Sequence, residues 1–381
     1  MRGVLASHVA EIVDGLASHG YEAYCVGGCV RDTLLGAVPK DWDVCTNATP
    51  GQVVACFSGW RVLETGLRHG TVTIMAGGQP IEVTTYRVDG MYTDHRRPDA
   101  VTFTGSLRED LARRDFTINA MAFARDGEVI DFFGGQEDLR RGVLRCVGDP
   151  ALRFEEDALR ILRGLRFATR LGFAVEAGTA DALLSKRALL RHVAAERVLT
   201  ELCGMRFDRV DPRFLPVLQT VIPEIVEIRV PVGLDGEPAL QLSALLRGLD
   251  AGAILMRLKA SRALARRVET LACRVDMQVL PEDIDIRRLL REIGEEAAEQ
   301  LLRIQQNGGA MAALKRIVAR GDCYRLGDLA LCGDDLAARG LTGAEIGATL
   351  KRLLDRVVEG TLQNDREALL QAVYFDSNAP S

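Results

Sequence analysis

The stretch between Cys25 and Asp43 constrains the fold of this chain more than any other. It reads CVGGCVRDTLLGAVPKDWD and follows a short apolar run that predicts a strand ending at Val26. A glycine pair, Gly27-Gly28, then predicts a tight turn into a helix. Glycines at such a turn leave backbone N–H groups uncovered at the start of a helix, which suits bound phosphate.

Charged side chains on both sides of this turn indicate the chemistry. Arg31 lies on the first turn of the predicted helix, where its guanidinium can reach phosphate oxygens and Asp32 can hold it in position. Alternation after Lys40 predicts a strand with Asp41 and Asp43 on one face. Two carboxylates on one face can share divalent cations, and Mg²⁺ bound in this way takes further oxygens from a substrate phosphate. The stretch therefore predicts a site for a nucleoside triphosphate and metal.

Residues 50–90 predict a short helix followed by strands. Residues 71–75 and 81–86 are rich in β-branched side chains and are joined through two glycines, so they predict a hairpin. Glu82 is either a third carboxylate beside the aspartate pair or an ordinary surface residue, and the sequence leaves both open. Residues 88–98 are polar and contain glycine and proline, which predicts a mobile loop.

Two further stretches carry candidate binding residues. In the first, Arg113 and Arg114 offer guanidinium forks for phosphate, and Asp115 offers acceptors for a ribose hydroxyl. In the second, an N-capping aspartate followed by proline predicts the start of one helix over residues 149–171. Its apolar side chains share one face, and its arginines share the other with Asp157 at the margin.

Asp157 and Arg160 offer a physical means of reading a base. Cytosine and adenine each present an amino donor beside a ring-nitrogen acceptor, which a carboxylate and a guanidinium can pair with. Guanine and uracil present the opposite pattern, and each mismatched hydrogen bond in a buried site costs roughly 1–3 kcal/mol. The simpler alternative is a solvated helix face on which Glu156 and Arg160 form an i,i+4 ion pair.

Taken together, these motifs resemble one family. Four of them are similar to signatures of class II tRNA nucleotidyltransferases and bacterial poly(A) polymerases, which belong to the DNA polymerase β superfamily. These four are GGCVRD, the DWD that follows it, RRDFTINA and EEDALR. The resemblance implies an α+β nucleotidyltransferase head over residues 1–140, containing a small mixed sheet with helices. It implies an all-α remainder, with a base-reading neck over 141–210 and a tRNA-binding body and tail over 211–381. Residues 194–199 resemble a further signature, interpreted as support for the neck.

The same resemblance implies an activity and a role for each site residue. The activity is template-independent addition of C, C and A to the 3′ end of tRNA from CTP and ATP, with release of pyrophosphate. Catalysis would use Mg²⁺ held by Asp41 and Asp43. The triphosphate would bind to Gly27, Gly28, Arg31 and Arg114, the ribose to Asp115, and the nucleobase to Asp157, Arg160 and Arg163. The tRNA would be held at its acceptor end and elbow.

Other functions, both within this family and outside it, stay open at this point. An enzyme that adds only A, and a poly(A) polymerase, share this head. In the resembling family the loop at this place is shortened in enzymes that add only C, so its full length at 88–98 favours the ability to add A. A catalytically dead RNA-binding module is disfavoured because Asp41 and Asp43 are both present.

Net charge, cysteine content and hydropathy limit the expected location of the chain and the kind of surface that can bind RNA. The net charge is −5, so any RNA-binding surface must be a local one. The nine cysteines lack paired spacing, which indicates reduced thiols. With no apolar run of about eighteen residues, the expected location is the cytoplasm, with no membrane and no protein partner evident.

Overall fold

The computed structural model describes residues 5–64, 66–67, 70–90 and 101–377, and for 374–377 it describes the helical backbone only. The chain divides into two compact units, Met1–Ile228 and Arg229–Ser381. The first unit contains sheets and helices, and the described residues of the second contain helices without strands. The finer boundaries expected at residues 140 and 210 fall within the first unit and stay predictions.

The described residues of the first unit form a seven-stranded sheet and two two-stranded sheets. In chain order the strands are β1 (Ala23–Val26), β2 (Asp43–Thr46), β3 (Val62–Leu63), β4 (Thr71–Ala76), β5 (Gln79–Thr85), β6 (Arg87–Asp89), β7 (Val101–Phe103), β8 (Met121–Phe123), β9 (Val129–Asp131), β10 (Val143–Leu144) and β11 (Ala174–Val175). The large sheet has the order β3-β4-β5-β2-β1-β8-β9, with β2 and β5 as its parallel pair. The predicted mixed sheet is therefore confirmed, as is the β4–β5 hairpin.

Helices make up most of the remaining structure. In the first unit they are α1 (Ser7–Ser18), α2 (Gly28–Leu34), α3 (Pro50–Cys56), α4 (Leu107–Ala112), α5 (Gly135–Arg141), α6 (Pro150–Glu156), α7 (Leu159–Leu171), α8 (Ala177–Ser185), α9 (Ala195–Cys203) and α10 (Leu215–Val221). In the second they are α11 (Pro238–Leu245), α12 (Ala251–Arg257), α13 (Arg262–Ala272), α14 (Asp283–Ile304), α15 (Gly308–Arg320), α16 (Gly333–Ala337), α17 (Gly343–Val358) and α18 (Arg366–Ser377). The predicted helical remainder is confirmed, and the short parallel pair β10–β11 is a small strand element within it. Among the described residues, none of these helices combines the length and apolar character that a membrane span requires.

The packing of α4 on the large sheet positions the second arginine stretch. Leu107 and Leu111 of α4 are buried in one cluster with Val26 of β1 and Cys45 of β2. These apolar contacts remove side chains from water and so fix α4 against the sheet. The arginines that follow α4 are thereby brought to the end of β1.

The strand expected to include Asp41 begins only at Asp43. The ladder between β1 and β2 ends at the pair Val26–Asp43, because β1 turns away at Gly27. Exposure still alternates as predicted, since Asp41 and Asp43 are exposed and Trp42 between them is buried. Pairing with β1 therefore determines where β2 begins, and the alternating sequence pattern determines which of these side chains are exposed.

The single helix predicted over residues 149–171 is wrong, because the chain forms two helices there. Asp157 has extended backbone angles, with φ −135° and ψ 103°, and separates α6 from α7. Its Oδ1 accepts a hydrogen bond from the backbone N–H of Leu159 at 3.1 Å. An aspartate that caps the following helix in this way competes with continuation of the preceding one. The predicted base-reading carboxylate therefore lies at a joint between helices.

The predicted loop over residues 88–98 is only partly described. Residues 91–98 lie outside the described residues. Val88 and Asp89 belong to β6, which pairs with β7 in an antiparallel ladder. These two residues were predicted in the loop, and cross-strand pairing with β7 makes them strand instead.

A glycine substitution tests how closely α5 packs against Thr117 and Met121. A Cβ added at Gly135, the first residue of α5, would lie 2.3 Å from the Thr117 carbonyl oxygen and 2.9 Å from Met121 Cγ. We expect Gly135→Ala to lower the free energy of unfolding by roughly 1–3 kcal/mol, as overpacking does. Gly51→Ala in α3 is the matched control, because its Cβ would meet nothing within 4 Å. Urea denaturation of both variants measures the difference, and equal stability would contradict the close approach at Gly135.

Candidate active site

The turn after β1 brings three predicted site residues together. Gly27 has φ +80°, a conformation that glycine adopts readily, and α2 begins at the next residue. A Cβ on Gly27 would lie 3.1 Å from Arg114 Nη1 and 3.9 Å from Asp43 Oδ2. The backbone of the turn therefore lies against an arginine and a carboxylate with no side chain between them.

A cavity of about 400 Å³ lies at this turn, within the first unit. Nine residues predicted from the sequence line it: Gly27, Gly28, Arg31, Asp43, Arg114, Asp115, Asp157, Arg160 and Arg163. It is also lined by Arg113, Asn119, Phe167 and Arg197. Six of these lining residues are arginines and three are aspartates, so the lining residues carry a formal charge of +3. Such a lining suits a polyanion such as a nucleoside triphosphate.

Every arginine of the cavity forms an ion pair with a nearby carboxylate. The partners, at N···O distances from 2.5 to 3.4 Å, are Asp32 for Arg31, Asp110 for Arg113 and Arg114, Glu156 for Arg160, Asp115 for Arg163, and Asp157 for Arg197. The side chain of Asp110 is fully buried and serves two arginines. Guanidinium groups fixed in this way lose less conformational freedom when a ligand binds.

Arg31 is held on three sides. Its Nε and Nη2 donate to Asp32 Oδ1 at 2.9 and 2.7 Å, which is the contact expected from the sequence. Its Nη1 donates to Asn119 Oδ1 at 2.7 Å, and its guanidinium lies 5.1 Å from the centre of the Phe167 ring. A cation at this distance from an aromatic face is attracted by the ring quadrupole. Arg31 is thus preorganised at the cavity wall.

Asp115 is buried among donors. Burial raises the pKa of its carboxyl, but the positive charges of Arg163 and Arg160 and hydrogen bonds from Asn119 and Phe116 outweigh burial and lower that pKa below its usual value. Arg163 Nη2 lies 2.8 Å from Asp115 Oδ2. Arg163, predicted with the base-reading residues, is therefore bound to the residue predicted for the ribose.

Asp157 and Arg160 both line the cavity but are not paired with each other. Asp157 Oδ2 accepts from Arg197 Nη2 at 3.0 Å. Arg160 Nη1 donates to Glu156 Oε2 at 2.5 Å, so the i,i+4 pair that the sequence left open is present. Arg160 also donates to the carbonyl oxygens of Arg153 and Arg113, both at 3.1 Å. Arg160 therefore forms an ion pair with Glu156 and lines the cavity at the same time.

Carboxylates gather at the edge of the cavity around Asp43. Asp43 and Glu82 are register partners on the parallel strands β2 and β5, so their side chains share one face. Although Asp43 is exposed at the cavity, the surrounding protein removes part of the water around its carboxyl group and so raises its pKa. Arg114 opposes that rise, and the negative charges of Glu82 and Asp41 add to it. Sheet register thus places Glu82 beside the aspartate pair, a position that the sequence left open.

The donor set fits a metal shared with a substrate. Within the described ranges no group of three or more His, Cys, Asp and Glu side chains is arranged to hold a metal ion. Mg²⁺ is nevertheless bound by only one or two carboxylates where substrate phosphates supply further oxygens. The negative charges of Glu82 and Asp41 repel that of Asp43, and a bound cation would relieve this repulsion.

Three residues of the cavity lining were not predicted as site residues. Asn119 lies within the RRDFTINA motif, and its place in that motif could have identified it as a site residue. Arg197 lies in the stretch 194–199 that was interpreted as structural support, and its contact with Asp157 spans 40 residues of sequence. Phe167 lies one turn after Arg163 on the arginine-bearing face of α7, and the sequence pattern of that face was interpreted from its charges alone.

Comparison with known families agrees with this geometry. Residues 23–145 match the family described as the Poly A polymerase head domain. Residues 239–373 match the family described as tRNA nucleotidyltransferase domain 2. The sheet, the arginine-lined cavity and the carboxylates at its edge thus define a nucleotidyltransferase of the polymerase β superfamily.

Full-length relatives narrow this class. The CCA-adding enzyme of Limosilactobacillus fermentum is 37% identical over 380 residues, covering 95% of this chain and 94% of that protein. The CCA-adding enzyme of Enterococcus faecalis is 35% identical over 384 residues, with shares of 95% and 94%. The crystal structure of the Bacillus stearothermophilus CCA-adding enzyme in complex with CTP is 29% identical, with a TM-score of 0.76 and shares of 97% and 98%. The chain belongs to the CCA-adding enzymes, which are tRNA nucleotidyltransferases and generally use divalent metal.

Opposite pKa shifts at two aspartates predict opposite stability effects. The raised pKa of Asp43 means that its proton favours the folded state: this stabilisation is complete below about pH 3.8 and is lost as pH rises through the raised value. Asp43→Asn should therefore raise the melting temperature of the metal-free protein at pH 7. The lowered pKa of Asp115 stabilises the fold above its unfolded value of 3.8, and this is lost on acidification. Asp115→Asn should cost about 1–3 kcal/mol at pH 7.

Thermal melts in EDTA between pH 4 and pH 8 measure both effects. The Asp43→Asn difference should shrink towards pH 4, because Asp43 then approaches protonation in the folded reference protein. The Asp115→Asn difference should persist to pH 4, because the lowered pKa keeps Asp115 ionised there, and it should shrink only at lower pH. A lower melting temperature for Asp43→Asn at pH 7 would contradict the predicted repulsion among the carboxylates.

Proposed function

We propose that this chain is a complete CCA-adding enzyme, which adds C, C and A to the 3′ end of tRNA from CTP and ATP without a nucleic-acid template. The observation that carries the proposal is that nine residues predicted from separate motifs line one cavity. The relatives that share almost the full length of the chain support the same activity. With tRNA and nucleoside triphosphates as substrates, the proposed location is the cytoplasm.

In the proposed mechanism, the chain orients the triphosphate for displacement. Asp41 and Asp43 would hold two Mg²⁺ ions, with Glu82 beside them as a candidate third ligand. Such ions, when bound, lower the pKa of the RNA 3′-OH and offset the charge of the triphosphate. Arg31 and Arg114 hold the phosphate chain against the glycine turn, so that the 3′-OH attacks the α-phosphorus in line and pyrophosphate leaves.

Base choice is proposed to come from Asp157 and Arg160. The carboxylate accepts from the amino group of C or A, and the guanidinium donates to the adjacent ring nitrogen. The pair reads both bases with one set of contacts, and G or U would leave donors facing donors. Arg197 holds the Asp157 carboxylate at the helix joint, and carbonyl oxygens hold Arg160.

The helical part of the chain is proposed to bind the tRNA elbow through phosphates and shape. Five basic residues on and between α12 and α13 are exposed: Arg257, Lys259, Arg262, Arg266 and Arg267. A local basic surface of this kind compensates for a net charge of −5. The acceptor end of the tRNA would reach the cavity of the first unit.

Product length tests the proposed activity. Purified protein with Mg²⁺ is given three tRNA transcripts, one lacking CCA, one ending in CC and one complete, each with CTP, ATP or both. We expect the first to grow to full CCA, the second to gain one A, and the third to stay unextended. Extension of the CC-ending transcript alone would indicate an A-adding enzyme, and long A tails would indicate a poly(A) polymerase.

Replacing the carboxylate at the start of β2 tests the proposed metal site. Asp43→Ala should abolish nucleotide addition, because the cations lose a ligand, while tRNA binding in a gel-shift assay stays close to wild type. Asp126→Ala is the control, since Asp126 is an exposed aspartate in the turn between β8 and β9 of the same sheet. Turnover of Asp43→Ala near the wild-type rate would refute the assignment.

A further inference from the structure

Asp110 on α4 holds the two arginines that follow that helix. Its side chain is fully buried, and it does not itself line the cavity. Its Oδ1 accepts from Arg113 Nε at 3.0 Å and Nη2 at 2.8 Å, and from the backbone N–H of Arg87 at 3.3 Å. Its Oδ2 accepts from Arg114 Nη2 at 3.4 Å. One buried carboxylate therefore connects both guanidinium groups to the first residue of β6.

Each guanidinium nitrogen of Arg113 faces a carboxylate. Nε and Nη2 donate to Asp110, and Nη1 lies 3.7 Å from Asp89 Oδ2 on β6. The Asp89 side chain is only 7% exposed, so Arg113 links α4 to β6 largely away from water. Charge-assisted contacts of this kind are among the strongest hydrogen bonds in proteins. A phosphate would have to compete with two carboxylates for this guanidinium, although Arg113 lines part of the cavity.

Arg114 keeps donors that the protein does not use. Its hydrogen bond to Asp110, at 3.4 Å, is a long one. Its Nε is buried and has no hydrogen-bond partner within the part of the chain that the structure describes. Its Nη1 lies at the glycine turn, 3.1 Å from the position of a Cβ on Gly27. An unpaired donor of a charged group costs free energy inside a protein, so phosphate oxygens at this turn would stabilise Arg114 more than Arg113.

Asp43 is a second carboxylate beside Arg114. Its Oδ2 lies 3.9 Å from the same Cβ position on Gly27. Burial lowers the pKa of the Arg114 guanidinium, but the negative charges around it, with Asp110 the strongest and Asp43 among the others, outweigh burial and raise that pKa. The charge of Asp110 thus competes with that of Asp43 for Arg114. Loss of the Asp110 charge would draw the guanidinium towards Asp43 and away from its place at the turn.

We infer that Asp110 is a positioning residue for triphosphate binding, which orients Arg114 towards the phosphates, and that Arg113 is a structural link between α4 and β6. The inference rests on the proposed function, because it needs a nucleoside triphosphate at the glycine turn. It separates two arginines that the sequence offered alike as phosphate ligands. Asp110 touches neither the base nor the RNA, so its effect is expected on binding of the phosphate chain and not on base choice.

Replacing Asp110 by asparagine keeps its shape and removes its charge. For the full chain adding A to a CC-ending tRNA transcript, Asp110→Asn should raise KM for ATP and the inhibition constant of inorganic pyrophosphate about ten-fold or more. KM for the tRNA and the ATP/GTP preference should stay unchanged. Asp138→Asn is the matched control, because Asp138 is a buried aspartate paired with Arg145 outside the cavity lining. A pyrophosphate constant that changes no more than in this control overturns the inference.

A double variant tests whether Asp110 acts through Arg114. Arg114→Gln should raise the pyrophosphate constant as Asp110→Asn does, and the two together should raise it no further, because both act through one guanidinium. Additive losses would overturn the positioning role. Arg113→Gln should lower the melting temperature more than Arg114→Gln and raise the pyrophosphate constant less. The reverse order would refute the separate roles of the two arginines.

A second variant covers the case in which thermal melts show Asp110→Asn to be unfolded. Asp110→Asn combined with Arg113→Gln removes the buried charge pair together and still leaves Arg114 without its counter-charge, so the same rise in the pyrophosphate constant is expected. Where turnover is too slow, titration calorimetry with pyrophosphate and Mg²⁺ gives the affinity directly. Failure of the wild type to add nucleotides would refute the proposed function itself, whereas unchanged pyrophosphate affinity in an active enzyme refutes only this inference.

Discussion

The repulsion among six guanidinium groups is the constraint on which the first unit depends. They line one cavity, and the arrangement is stable because each has a carboxylate partner close by. The cost of burying Asp110 without water is offset by two arginines, and the cost of burying Asp115 by a fork from Arg163. The fold thus keeps an electropositive cavity in an acidic chain by assigning each cation a fixed counter-charge.

This arrangement explains how a chain without a nucleic-acid template can still be selective. Charges that are already paired lose little freedom when a nucleotide enters, so binding free energy goes into discrimination between ligands. Phe167 contributes through its ring, which lies near two arginines of the cavity, Arg31 and Arg163, and near Arg166 outside its lining. The residues proposed to bind phosphate, ribose and base contact one another, so a substitution at one of them is expected to affect its neighbours.

The second unit uses the same chemistry for a different purpose. Arg287, Arg288 and Arg291 of α14 form ion pairs with Asp322, Glu359 and Asp355, which tie that helix to the chain near α15 and α17. The pairs of Arg288 and Arg291 are partly exposed and contribute little each, whereas the Arg287–Asp322 pair is more buried. The apolar faces of the helices supply most of the stability.

The sequence by itself determined the fold class and most of the cavity. The glycine turn, the aspartate pair at and before the start of β2 and the arginine stretches depend on local backbone geometry and short spacings, which a pattern records. It could not determine the break at Asp157, because a capping bond to Leu159 competes with helix continuation and their balance is not visible in periodicity. Nor could it place Glu82 beside Asp43 or Arg197 on Asp157. Only the tertiary structure decided those contacts, since strand register and packing bring together residues that are distant in the chain.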